Sequence, residues 1–186
     1  MSEECVGEDK MRSAQTVYYG KIRCGKWQLY IAATEKGLCY VGGADGDFQE
    51  MLHWLRKNIP NACVREAKEN LTDFHQQFAE YFSGQRKTFT FPLDVIGSSF
   101  QKTVWHELLN IPYGSTVSYS DIAAKIGHPH SVRAVGKAIG TNPLLIVIPC
   151  HRVIRKNGSL GGFRGGLLMK KQLQWLEARH LSRKTL

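Results

Sequence analysis

Ser118-Tyr119-Ser120-Asp121-Ile122-Ala123-Ala124-Lys125-Ile126-Gly127-His128-Pro129-His130-Ser131-Val132-Arg133-Ala134-Val135-Gly136-Lys137-Ala138-Ile139-Gly140 is the stretch on which the fold turns. Ser118 can cap a short helix whose apolar residues are Ile122, Ala123 and Ile126. Gly127-His128-Pro129 predicts a tight turn, and a second helix follows from about Ser131 to Gly140, ending before Asn142-Pro143. Helix, turn, helix is a DNA-binding pattern, although many helical proteins contain such pairs. The second helix lacks long base-reading side chains and carries Ala134, Gly136 and Ala138 instead. Two readings stand. A small-residue face lets the helix approach DNA closely, by shape or minor-groove contact; equally, small residues allow one helix to pack tightly on another.

Downstream of this stretch, Leu144 to Ile148 is a continuous apolar run and predicts a short buried strand. Gly158 to Gly166 is a glycine-rich loop, and Leu167 to Arg179 predicts a last helix with Leu168, Leu173, Trp175 and Leu176 as its apolar residues. Upstream, Ser98 or Ser99 caps a helix carrying Phe100, Val104, Leu108 and Leu109, which Pro112-Tyr113-Gly114 breaks. Earlier still, Thr16–Ile22 and Trp27–Ala33 read as strands, with a turn at Glu35-Lys36-Gly37 and a returning strand from Leu38 to Val41. Asp47 starts a helix with Phe48, Met51, Leu52, Leu55 and Ile59 at helical spacing, stopped by Pro60. A further helix runs from about Thr72 to Phe82 and ends at Gly84. The reading is thus α/β (α+β): a small α/β domain over 13–92, then a helix-turn-helix domain over 93–180. Residues 1–12 and 181–186 are expected to be tails.

Charge supports the division. The 186 residues carry a formal net charge of +9. Residues 1–92 balance, with 12 Lys and Arg against 12 Asp and Glu, while residues 93–186 hold 13 against 4. Ile122 to Leu176 contains no acidic residue at all. Such asymmetry points to a polyanionic partner, nucleic acid first, against the plainer reading of a soluble basic face. No apolar run approaches a membrane span, and Met1 to Lys10 is acidic and polar, unlike a secretory signal. No membrane is expected, and the expected location is the cytoplasm, or the nucleus if the source is a eukaryote.

The cysteines are Cys5, Cys24, Cys39, Cys63 and Cys150, an odd number without a C-x-x-C pair, so neither a disulfide scaffold nor a zinc finger is indicated. Cys150 stands apart because His151 and Arg152 follow it. A cysteine is a nucleophile as thiolate, and adjacent cationic groups, with no acid near in sequence, favour that form. A neutral imidazole can also take the thiol proton. On an extended segment adjacent side chains point opposite ways, so His151 needs a turn or a bridging water to reach the sulfur. Glu177 is the one carboxylate after Asp121. It is either the group that orients His151 or a solvated helix-surface residue. Ser99-Phe100-Gln101-Lys102 matches S-x-x-K without its partner motifs, the glycines at 158–166 form no phosphate loop, and His128-Pro129-His130 lacks further metal ligands.

At Ile148-Pro149-Cys150-His151-Arg152-Val153 the chain resembles the O6-alkylguanine-DNA alkyltransferases. Val117-Ser118-Tyr119, Arg133-Ala134-Val135-Gly136, Asn142-Pro143 and Gly165-Gly166-Leu167 extend the resemblance from about Ser99 to Glu177. It implies a ribonuclease-H-like N-terminal domain, a winged-helix-like C-terminal domain, entry from the minor groove and a flipped-out guanine. It implies Arg133 as the residue filling the vacated stack, with Ala134 and Gly136 beside it on the DNA-facing helix. Tyr119 would displace the nucleotide's phosphate and protonate the leaving guanine. Asn142 would brace the helix-turn-helix against the active-site strand, and Cys150, His151 and Glu177 would be nucleophile, base and orienter, with a water between the first two. The Val153 carbonyl would read the guanine amino group and the Arg164 backbone N–H would contact the base. Gln101 and Ser120 stand where the family contacts phosphate.

The resemblance further implies a monomer acting on double-stranded alkylated DNA without a cofactor, each molecule consumed by one irreversible transfer from O6-alkylguanine, and from O4-alkylthymine, to Cys150. Departures exist. Phe163 stands where a tyrosine is common, and Arg164 where some members have serine. Two ligands of the zinc some members carry correspond to Thr34 and Cys39, so no metal is expected. Two competing functions need different chemistry: a DNA-binding regulator needs no thiol, and a Cys-His hydrolase turns over repeatedly.

Overall fold

The structure, a computed structural model, describes residues 15–25, 27–67 and 69–182. The expected tail over 1–12, with Cys5, lies outside the described residues. Strands β1 (Thr16–Cys24), β2 (Trp27–Thr34) and β3 (Gly37–Val41) form an antiparallel meander. The connection through α1 (Phe48–Asn58) returns the chain as β4 (Cys63–Glu66), parallel to β1, giving the sheet order β3-β2-β1-β4. The sequence reading missed β4; its four residues Cys-Val-Arg-Glu carry no alternation long enough to mark a strand.

Alternation along the strands sorts side chains onto two faces. Val17, Ala32, Cys39 and Tyr40 meet Met51 and Leu55 of α1. Ile22, Leu29, Ile31 and Leu38 meet Phe74, Phe78 and Tyr81 of α2 (Thr72–Ser83). Both helices end as their signals predict. Asp47 accepts from the backbone N–H groups of Gln49 and Glu50, and Gly84 takes the left-handed conformation at φ 79°.

The second half comprises α3 (Ser99–Leu109), β5 (Val117–Ser118), α4 (Tyr119–Lys125), α5 (Val132–Gly140), β6 (Val153–Ile154) and α6 (Leu167–Ser182). Ser98 caps α3 and Ser118 caps α4, each in a reciprocal capping box, with Gln101 and Asp121 respectively. Gly127, at φ 76°, turns the chain between α4 and α5. Trp105 of α3 donates its indole N–H to the Ala138 carbonyl at 2.8 Å, fixing α5 against α3. Of the small residues on α5, Ala138 is buried in helix packing, whereas Ala134 faces solvent and Gly136 lies beside the Tyr119 ring. Tight helix packing thus accounts for Ala138 and not for Ala134.

Residues from both halves share one apolar core, from Leu29 and Phe78 to Val135, Val153 and Leu173. The outer edge of β3 is also covered: the Val41 N–H donates to Pro143 O at 2.8 Å, and Leu38 exchanges backbone bonds with Pro92 and Asp94 at 3.0 and 2.9 Å. An edge strand thereby becomes the support for the segment that leads to Cys150.

Two expectations fail. Leu144–Ile148 is buried as predicted but is a turn, not a strand: Ile148 N–H bonds to Leu144 O at 2.9 Å, and Ile146 sits at φ 74°. A β-branched residue there is strained by about 1–3 kcal/mol. Asn142 offsets this by accepting from the Leu144 N–H at 2.9 Å and donating to the Leu144 and Ile148 carbonyls at 3.4 and 2.9 Å. In α6 the buried face is Met169, Lys170, Leu173 and Glu177, while Leu168 and Trp175 are 70% and 61% exposed. Leu173, one of the apolar residues the sequence reading named, is on the buried face, and polar partners hold Lys170 and Glu177 inward beside it. The helix also continues past Arg179 to Ser182, into the stretch expected to be a tail.

Candidate active site

Cys150, His151 and Arg152 form one turn of 3-10 helix after Pro149, yet the His151 ring is directed to Glu177 and not to the sulfur. The Cys150 residue is 3% exposed, and its sulfur accepts from Asn142 Nδ2 at 3.1 Å. His151 is fully buried and meets Glu177 Oε1 through Nε2 at 2.9 Å. Its Nδ1 is buried and has no hydrogen-bond partner among the protein groups. Glu177 is 1% exposed, so the solvated-surface reading is excluded.

The Glu177 carboxylate is the hub of the site. It accepts from Tyr81 Oη at 2.5 Å, Gly114 N–H at 2.8 Å and Arg152 Nη2 at 2.8 Å as well as binding His151. Burial pushes its pKa up, but the hydrogen bonds and charges of His151 and Arg152 outweigh burial and hold it down at about 2. Arg152 is therefore turned towards Glu177 and the Ile111 carbonyl (2.6 Å), not towards the sulfur as its adjacency suggested. Burial raises the Cys150 pKa, against the lowering effects of the Asn142 hydrogen bond and of the Arg164 and Lys170 charges. Burial also lowers that of His151, against the raising effect of Glu177. Burial therefore favours the thiol at Cys150 and the neutral imidazole at His151. A neutral, oriented imidazole is the form that can accept a proton.

A groove of about 840 Å³ opens between α5 and the glycine loop, lined among others by Tyr119, Ser120, Arg133, Gly136, Phe163 and Arg164. Arg133 and Ala134 are exposed on α5. Arg155 and Lys156 also line the groove, so its rim is cationic and suits a phosphate backbone. Burial, then proximity to Cys150, raises the Tyr119 pKa and keeps its hydroxyl protonated. Ser120 Oγ pairs with Ser118 Oγ at 2.7 Å. Gln101 is engaged in the structure itself: its side chain accepts from Ser98 N–H at 2.9 Å and donates to Thr141 Oγ1 at 2.9 Å.

Three groups at the site escaped the sequence reading. Tyr81 reaches it from α2, and nothing local marks it. The Arg164 side chain clamps the halves together, donating to Asn142 O (3.1 Å), Tyr40 Oη (3.1 Å), Val41 O (2.6 Å) and Glu50 Oε1 (2.6 Å). Lys170 is fully buried and gives its ammonium to the carbonyls of Val153, Leu160 and Gly162 at 2.5, 2.5 and 3.3 Å. Its spacing with Leu173 and Glu177 on one helix face was the available signal. At Thr34 and Cys39, the hydroxyl bonds to Asp94 and the thiol to the Ala32 carbonyl. Among the described residues no group of three or more His, Cys, Asp or Glu could hold a metal ion.

Two family models match this chain: the 6-O-methylguanine DNA methyltransferase ribonuclease-like domain over residues 17–95, and the DNA-binding domain of the same proteins over residues 99–179. The chain belongs to the 6-O-methylguanine DNA methyltransferase family. An inducible methylated-DNA–protein-cysteine methyltransferase of Bacillus subtilis is 48% identical over 88% of this chain and 92% of its own length. The constitutive protein of the same organism is 54% identical over 80% and 87%. Among solved structures, the O6-methylguanine methyltransferase of Mycobacterium tuberculosis superposes with a TM-score of 0.75 at 34% identity, covering 88% of this chain and 94% of that one. A complex of the tuberculosis protein with DNA superposes at 0.74 and 32% identity, over 89% and 94%. Membership accounts for both halves of the fold, the ribonuclease-like sheet and the helix-turn-helix. Among the described residues no helix is long and apolar enough to cross a membrane.

Proposed function

We propose that this protein repairs DNA by direct reversal, moving the alkyl group of O6-alkylguanine onto Cys150 in a single irreversible turnover. The observation that carries the reading is the buried array in which Asn142 holds the Cys150 sulfur and Glu177 holds a neutral His151, close enough to Tyr119 of the cationic groove for Cys150 to act on its hydroxyl's pKa. The working unit is a monomer, with its division near residue 92, and the damaged duplex is met through its minor groove by the exposed Arg133–Ala134 face of α5. A base flipped into the groove leaves a gap that Arg133 fills, which offsets part of an unstacking cost of a few kcal/mol. Gln101 and Ser120 stand near the phosphates, and the Gln101 contact uses what its capping bonds leave free.

The chemistry then follows from the protonation states. His151 takes the thiol proton through a water at its unpaired Nδ1, and Glu177 stabilises the imidazolium that forms. The sulfur attacks the alkyl carbon in line; the new S–C bond forms as the C–O6 bond breaks. Tyr119 donates its hydroxyl proton to the departing guanine, so the leaving group departs neutral. The Val153 carbonyl and the Arg164 backbone N–H orient the base. The thioether has no acyl or phosphoryl bond for water to cleave, so no regeneration follows, and no cofactor enters the scheme. O4-alkylthymine is the second substrate.

The test is stoichiometry and position. Incubation with labelled O6-methylguanine duplex should place one methyl group per protein, on the peptide containing Cys150. Label on another cysteine, or turnover beyond one equivalent, would overturn the reading.

A further inference from the structure

Of the five large apolar side chains that stand exposed among the described residues, four belong to α6: Leu167 (54%), Leu168 (70%), Trp175 (61%) and Leu181 (37%). Single exposed apolar residues are ordinary, but a cluster on one element marks a contact surface. Leu168, Lys171, Trp175 and Arg179 are all exposed and recur every three or four residues, so they form one stripe along the outer side of the helix. The stripe is cationic as well as apolar. Lys171 stands one turn before Trp175, and the Arg179 guanidinium lies 5.1 Å from the centre of the indole. The one acid of α6, Glu177, is on the buried face.

Charge and continuity narrow the partner. Helix α6 begins at Leu167, and Arg164, just before it, lines the groove read above as the DNA interface. From Leu168 to Arg179 the stripe then runs for about 17 Å. Phosphates answer Lys171 and Arg179, and a base answers an exposed indole flanked by a cation. Paired bases keep their faces inside the stack, so the indole meets a base face only where the strand is unpaired. We propose that the outer face of α6 binds single-stranded DNA adjoining the damaged duplex, with a base stacked on Trp175 and phosphates on Lys171 and Arg179. This rests on the reading above in which the duplex occupies the groove between α5 and the glycine loop. A lesion beside a fork, gap or overhang is then held at two points joined by the strand itself, and the second contact adds to the first as an intramolecular event. Such lesions are the substrate class that this face favours.

The test uses undamaged DNA, which leaves Cys150 unreacted. Binding is measured by fluorescence anisotropy for a short blunt duplex and for the same duplex with about eight unpaired thymidines on its 5′ or 3′ side. One of the two extensions should tighten binding to the natural protein by about tenfold. Trp175→Ala should bind the blunt duplex as before and cut that gain to within about twofold, while Trp175→Phe, which keeps an aromatic face, should retain most of it. Joint replacement of Lys171→Gln and Arg179→Gln should lower the salt dependence of the extended DNA by about 1.4 in log–log slope, two phosphates at about 0.7 each. All three side chains are exposed, so thermal unfolding should be unchanged. A gain that survives Trp175→Ala in full overturns the proposal. Equal weakening of blunt and extended DNA places the face on the duplex and also overturns it. No gain from either extension overturns it too, and leaves the face to a protein partner. The groove is tested separately: blunt-duplex binding unchanged by Arg133→Ala would count against the reading of the groove, whatever α6 does.

Discussion

The Tyr81 hydroxyl donates to Glu177 Oε1 at 2.5 Å across 96 residues of sequence, joining a helix of the N-terminal sheet domain to the carboxylate that orients His151. The ribonuclease-like half is therefore bonded to the carboxylate of the candidate site. Tyr81→Phe removes one of several bonds to a buried carboxylate. A hydrogen bond to a charged group is worth about 2 kcal/mol, so urea unfolding should show a loss of that order. Transfer to Cys150 should slow modestly, because His151, Arg152 and Gly114 still hold Glu177. An unchanged unfolding midpoint would show that the two halves are not coupled through this bond.

Glu177 also sets an acid limit. Its folded pKa of about 2 lies below the value of about 4.3 for a free glutamate. The unfolded chain binds the proton first, so the stabilisation is complete above about pH 4.5 and is lost as pH falls towards 2. The difference amounts to about 3 kcal/mol. Urea midpoints followed from pH 6 to pH 2 should fall steeply in the natural protein. Glu177→Gln should start less stable, since Arg152 loses its partner, and fall less steeply over the same range.

How much of this was legible in sequence depends on the range of the contacts. Helices α1 to α5 could be placed because Asp47, Ser98, Ser118, Gly84 and Gly127 are signals read within a few residues. The chemical set Cys150, His151 and Glu177 was legible because the chain holds so few acids near so many cations. Leu144–Ile148 was misread because five apolar residues look alike as strand or buried turn, and the deciding group, Asn142, lies outside the run. The inward turn of Lys170 and Glu177 in α6 was not legible from apolar residues alone, because it depends on polar partners in other segments: Val153, Leu160 and Gly162 for Lys170, and Tyr81, Gly114, His151 and Arg152 for Glu177. Tyr81, and the link the Arg164 side chain makes to the sheet domain, could not be found locally at all: the Tyr81 partner Glu177 lies 96 residues away, and Tyr40 lies 124 residues from Arg164.

Arg133 stands exposed at the edge of the groove, in no position to touch the sulfur chemistry directly. Arg133→Ala should therefore slow repair of duplex O6-methylguanine by tenfold or more, yet leave reaction with free O6-benzylguanine nearly unchanged, since the free base needs no flipping. Equal losses on the two substrates would remove Arg133 from the flipping step.

Asn142→Ala tests whether one amide both folds the turn and serves the nucleophile. It removes the bonds to the Cys150 sulfur, the Ile148 carbonyl and the Leu144 N–H; the Ile148 carbonyl keeps the Cys150 N–H at 2.7 Å, while the Leu144 N–H is left buried and unpaired. Stability should fall by about 2–4 kcal/mol, within the range for buried groups left without partners. Reaction with free O6-benzylguanine should fall as well, even below the unfolding transition. Loss of stability with full reactivity in the folded protein would confine Asn142 to the turn.

Arg164 joins the two halves from the opposite side of the site. Its guanidinium bridges Tyr40, Val41 and Glu50 of the sheet domain to the Asn142 carbonyl, and Asn142 in turn holds Cys150. Glu50 is half exposed, so Glu50→Gln should cost no more than about 1 kcal/mol. Arg164→Ala leaves several carbonyls without their donor and should cost about 3 kcal/mol. The backbone N–H of residue 164 remains in Arg164→Ala, so any slowing of alkyl transfer reports the lost clamp and not a lost base contact. A rate reduced on both free base and duplex is the outcome expected if the clamp holds Asn142 in register. A rate unchanged in a folded Arg164→Ala protein would show that Asn142 keeps its place without the sheet domain's help.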